Sequence, residues 1–186
     1  MKPELRRVGT SQSPVVVIDG FSGDVQAVVD IAAALAPFPP DAKTYYPGVR
    51  RILSERDGHG WAYVRSTLEA AAPFLGGAFG FVRFDLLGAS FSMVTARPET
   101  LGLAQRAPHF DSTDPDYIAI LHYLSDTPGT AFYRQRSTGI ETITEANRDA
   151  FVAAARRESA SLSGYTNGSN GPFEAGAAVD GHAGRL

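Results

Sequence analysis

Hydrophobic and polar positions alternate differently in the two parts of this chain. Val15, Val16, Val17 and Ile18 form a short β-branched run closed by Asp19 and Gly20, which predicts a buried strand. Behind it, Val25, Val28, Val29, Ala32 and Leu35 recur at helical spacing. They predict a helix over 25–36, capped by Ser22 or Asp24 and stopped by Phe38, Pro39 and Pro40. The segment 41–60 has neither period and reads as irregular. A second helix is expected over 60–75, with Val64, Leu68 and Ala71 on one face and Gly76-Gly77 at its end.

Beyond residue 77 the pattern shortens. Strands are expected at 78–85, 90–96, 117–124 and 130–136, and a further one from Phe173. A third helix is expected over 144–162, with Phe151, Ala154 and Ala155 on its apolar stripe, followed by a polar Gly/Asn/Ser loop over 164–172. Helices first and short strands later describe an α+β chain: a helical part over about 1–77 and a β-core over about 78–186 of one domain.

Composition narrows the chemistry. The 186 residues are 44% hydrophobic and 20% charged, enough for one domain with a real core. A net charge of -3 gives no electrostatic reason to expect a nucleic-acid partner. There is no cysteine, so a metal would have to use His, Asp, Glu or backbone oxygen. No apolar run is long enough to span a bilayer, and the charged N-terminus lacks the apolar stretch of a signal peptide. A cytoplasmic protein is the expectation, with no membrane partner.

His109-Phe110-Asp111 is the candidate chemistry. On extended backbone, residues i and i+2 point to one side, so one imidazole and one carboxylate can reach one metal ion. That pair is two-thirds of a two-His-one-carboxylate triad. The other reading stays open at this point: a loop histidine beside an aspartate that caps the turn Asp111-Ser112-Thr113-Asp114-Pro115.

The residues after the pair, Ile118 to Asp126 and then Gly129-Thr130 and Phe132, resemble the iron(II)- and 2-oxoglutarate-dependent oxygenases, most nearly their prolyl-hydroxylase-like branch. The resemblance covers roughly residues 105–136. Tyr46-Pro47-Gly48 and Phe132-Tyr133-Arg134 also resemble an uncharacterised bacterial family placed beside those oxygenases. The resemblance implies a double-stranded β-helix, the jelly-roll or cupin-like core, with flanking helices. It implies His109 and Asp111 as Fe(II) ligands, 2-oxoglutarate as cofactor, and Tyr123 as a hydrogen bond to the far carboxylate of 2-oxoglutarate. Tyr123 can equally be read as a half-buried strand aromatic.

The family pattern also has a second histidine on a late strand and a basic residue a few positions beyond it. After Asp111 this chain offers His122 and His182, with Arg185 as the basic candidate. His122 neighbours Tyr123 in a strand and so faces away from it. His182 lies four residues from the last residue and is expected in a tail. These positions lead to two expectations: that the barrel is incomplete, truncated before the strand of the distal ligand, and that the protein is an Fe(II)/2-oxoglutarate dioxygenase only if that strand exists in the full protein. The alternative is a non-catalytic, cupin-like binding or accessory protein without a complete metal site. Arg134 and Arg136 share a strand face and could pair on an anion, or serve as solubilising edge charges. Substrate and oligomeric state are not legible.

Overall fold

The computed structural model describes residues 2–40, 45–169 and 171–186. The first strand, β1 (Lys2–Val8), pairs antiparallel with β2 (Ser13–Asp19) in the register Lys2↔Asp19 to Val8↔Ser13. β1 carries no alternating pattern that would have announced it; β2 and the tight turn at residues 9–12 template it. Gly9 and Gln12 take left-handed conformations there, with φ of 71° and 54°. Pro3 stands opposite Ile18, whose N–H and C=O turn the other way and bond to Leu186. A residue without an N–H fits that position because the pair exchanges no bonds.

Helix α1 (Val25–Ala34) starts at Asp24, whose carboxylate accepts the N–H of Ala27 at 3.0 Å. The segment expected to be irregular contains β3 (Gly48–Ile52); its residues 41–44 lie outside the described residues. Helix α2 (His59–Phe79) runs four residues past the expected end at Leu75. Gly76 and Gly77 continue it, and Gly80, with φ of 76°, closes it by donating to the Gly76 carbonyl at 3.0 Å. The expected strand over 78–85 is therefore the last turn of this helix and an exposed segment after it.

β4 (Ser90–Val94) pairs with β3, and a one-turn helix, α3 (Leu103–Arg106), follows. No strand is assigned over 117–124, although its exposure alternates from Tyr117 to His122 as an extended chain would. Its neighbour is the chain's last stretch: the Tyr123 N–H donates to the Arg185 carbonyl at 2.9 Å, and the Gly184 N–H donates to the Tyr123 carbonyl at 2.8 Å. Residues 184–186 thus stitch this segment to β2, since the Ile18 N–H donates to the Leu186 carbonyl at 2.8 Å.

β5 (Thr127–Gln135) and β6 (Phe173–Gly181) form the third antiparallel pair, joined through α4 (Arg148–Glu158). Among the described residues the fold is thus helices with three two-stranded antiparallel sheets, none of them closed. No helix among the described residues is long and apolar enough to cross a membrane.

The apolar interior has two centres. Val28, Leu53, Val64 and Phe91 gather α1, α2 and β4 into one, with Trp61, Tyr63 and Leu124 against it. Around the other, Phe173 is fully buried against Phe151 of α4, where Ala154 is buried too. Gln135 is buried beside it and satisfied: its amide donates to the Phe151 carbonyl at 3.4 Å and to Glu158 at 3.2 Å, while its oxygen accepts from Thr138 at 2.7 Å.

Close packing also fixes where Tyr123 can lie. A Cβ on Gly181 would stand 2.7 Å from the Tyr123 ring and would strike the Thr127 hydroxyl. Gly181→Val should therefore lower stability by about 1–3 kcal/mol through overpacking. Chemical denaturation would measure it, and an unchanged midpoint would mean that this contact is not made.

Candidate functional site

Phe110 aims the His-x-Asp pair. Its ring meets Phe151 of α4 edge-on, with centroids 5.9 Å apart, so the side chain between the pair turns inward. His109 and Asp111 consequently turn outward on one side, with His109 Nε2 3.8 Å from Asp111 Oδ1. Both are exposed, the imidazole at 82% and the carboxylate at 54%. The turn behind them is fixed by Thr113, which donates to Glu145 at 2.9 Å, and by the Asp114 N–H, which donates to the Ser112 hydroxyl at 3.0 Å. The pair and an ordinary polar turn therefore coexist here.

Tyr123 is held by contacts of its own. Its hydroxyl hydrogen-bonds Thr130 at 2.6 Å, and its ring lies against Gly181, between the facing ends of β5 and β6. His122 leaves the chain toward α2 instead. Its Nε2 bonds the Ser22 hydroxyl at 3.0 Å, its Nδ1 bonds the Tyr63 hydroxyl, and Phe21 meets its ring edge-on. Burial holds the imidazole below its ordinary pKa and raises the Tyr63 phenol. A neutral ring satisfies both contacts, since either hydroxyl can give or take a proton.

The Ser22–His122–Tyr63 chain is the polar constellation that sequence reading missed. Its members are 100 and 59 residues from His122, and no local spacing joins them. The available signal was general: a half-buried imidazole needs partners for both nitrogens.

The remaining candidates are engaged elsewhere. His182 Nδ1 lies 3.8 Å from Asp126, whose carboxylate also accepts the Ala183 N–H at 2.9 Å. Arg185 binds Asp19 at 2.6 Å and the Asp180 carbonyl at 2.7 Å, and this hydrogen bond lowers the Asp19 pKa. Arg134 donates to the Gly139 carbonyl at 3.3 Å, and Arg136 stands 3.7 Å from Glu174. Arg50 lies over the Tyr46 ring at 4.1 Å, within cation–π range. Among the described residues, no three His, Cys, Asp or Glu side chains converge as a metal would require.

Comparison with known proteins places the whole chain, residues 1–186, in one family, and the protein belongs to it: a family of unknown function (DUF6445). No curated protein and no solved structure matches the chain.

Proposed function

We propose that this member of the family is an iron(II)- and 2-oxoglutarate-dependent oxygenase-type protein, with an incomplete jelly-roll core and a metal held in part by His109 and Asp111. The observation that supports this most is the 3.8 Å approach of the imidazole nitrogen to the carboxylate oxygen on one exposed side of the chain. Such donors bind a divalent transition metal at about 2.0–2.2 Å, so two on one ion stand roughly 3.0–3.4 Å apart. Small rotations of two exposed side chains close that difference.

The fit is partial, because the described residues add no third converging ligand. When bound, iron would supply the redox chemistry that couples 2-oxoglutarate decarboxylation to oxidation of a substrate. The chain's own contribution is positional: Phe110, seated on Phe151, keeps imidazole and carboxylate on the same side. Tyr123, with its phenol held by Thr130, is the proposed hydrogen bond to the far carboxylate of 2-oxoglutarate. A cytoplasmic setting belongs to the same reading.

The second reading, a non-catalytic cupin-like binding or accessory protein, is favoured by the missing third donor and by the engagement of Arg185 with Asp19. One set of measurements separates the two. Anaerobic Fe(II), or Mn(II), should raise the melting temperature in the presence of 2-oxoglutarate, and His109→Ala should abolish the rise. Iron-dependent succinate formation identifies the oxygenase. No His109-dependent shift and no succinate is the result expected of the accessory protein. No metal-dependent shift in the parent chain overturns both the ligand assignment and the oxygenase reading.

A further inference from the structure

The chain between α2 and β4 has an unusual combination of properties. Residues 81–88 read Phe-Val-Arg-Phe-Asp-Leu-Leu-Gly, and 82–88 are all exposed. Val82 is fully exposed at 103% and Leu87 is exposed at 80%. Among the described residues, no backbone N–H or C=O from Val82 to Gly88 hydrogen-bonds within the chain; the first such bond is the Ala89 carbonyl accepting from Leu53 at 2.9 Å. Among the described residues, Arg83 and Asp85 find no ion-pair or side-chain hydrogen-bond partner. The segment is free of helix and turn from Arg83 to Ala89 and runs directly into β4 at Ser90. An apolar segment with a row of open backbone donors and acceptors is a template for another strand.

The order of the side chains identifies that strand. Set antiparallel to its own copy about Phe84, the segment places Arg83 opposite Asp85 of the second chain, and Asp85 opposite its Arg83. Val82 then faces Leu86, Phe81 faces Leu87, and Phe84 faces its own copy. Both charge pairs are attractive in this one register, and a two-fold axis through Phe84 generates the contact with a single patch. A shift of one residue would move each charge opposite an apolar side chain, and a shift of two would set one of the charges opposite its own copy. Arg83 and Asp85, which within one chain are i and i+2 neighbours without a bond, are thereby placed for a partner of the same sequence.

We propose that residues 81–87 form an isologous, antiparallel strand-to-strand interface with a second copy of this chain, extending from the start of β4. The interface is independent of the His109–Asp111 site, so it stands or falls separately from the metal reading.

Sedimentation equilibrium of the intact chain, across a range of protein concentrations and at low salt, tests it. The parent should show reversible dimerisation. Arg83→Asp and Asp85→Arg should each weaken it by at least about tenfold, because two cross-strand pairs turn from attractive to repulsive. The double variant Arg83→Asp/Asp85→Arg should restore dimerisation to within about threefold, since the same register then pairs the exchanged charges. All three variants sit at exposed positions, and circular dichroism confirms their fold. A parent that stays monomeric, single reversals without effect, or a double variant no better than the singles would each overturn the proposal.

Discussion

Phe173→Ala is expected to cost about 3–5 kcal/mol of folding stability. The side chain is completely buried and carries the contact between β6 and α4 through Phe151. Phe151 is in turn the surface on which Phe110 rests. Truncation removes the apolar transfer energy and leaves a cavity between two elements that cannot both collapse into it. Urea denaturation followed by far-ultraviolet dichroism would measure the loss. A second effect follows from the same packing: the metal-dependent shift proposed for His109 should weaken, because Phe110 loses its rigid seat. A loss under about 1 kcal/mol would show that α4 is not anchored through this ring.

Replacement of His122 should have the next largest effect, and its pH dependence identifies the cause. In His122→Ala, the hydroxyls of Ser22 and Tyr63 lose a common partner in a partly buried site; Tyr63 keeps its hydrogen bond with Thr67, so the loss is about 1–3 kcal/mol. The imidazole's folded-state pKa is lowered by burial. The unfolded chain therefore binds the proton more tightly than the folded one between the two values. The stability due to neutral His122 is complete above the unfolded pKa of about 6.5, and is lost as pH falls from there toward the folded value. Asp19, Asp57 and Glu141 have carboxyls lowered first by hydrogen bonds from Arg185, Arg51 and Thr10. Their contributions are complete above the ordinary carboxylate range and are lost only as pH falls through it. Melting temperature should rise with pH through the region just below 6.5 in the parent. In His122→Gln, which retains hydrogen bonding without titrating there, that rise should flatten. An unchanged profile in the variant would assign the rise to other groups.

The candidate pair shows how local information and packing divide the work. His109 and Asp111 were visible as a spacing, and i, i+2 placement needs nothing more than extended backbone. That Phe110 points inward depends on Phe151, 41 positions away, and no spacing near the pair contains that contact. Tyr123 was legible as a half-buried aromatic. Its partner Thr130 lies seven residues on, but the glycine that makes room for the ring is Gly181. His122 was read only as facing away from Tyr123, and its place between Ser22 and Tyr63 came from the folded chain.

By itself the sequence determined the elements that carry their own period or cap: β2, α1, most of α2, β4, β5, α4 and β6. Backbone sterics, side-chain spacing and capping act over a few residues, and these are written locally. The tertiary structure alone decided the rest. β1 and β3 are strands because β2 and β4 present edges to them, not because their own residues alternate. Residues 117–124 have the composition of a strand, but among the described residues their pairing is the contact of Tyr123 with residues 184 and 185. Strand pairing is a bond between distant segments, and whether a suitable segment becomes a strand depends on the partner that the rest of the fold delivers.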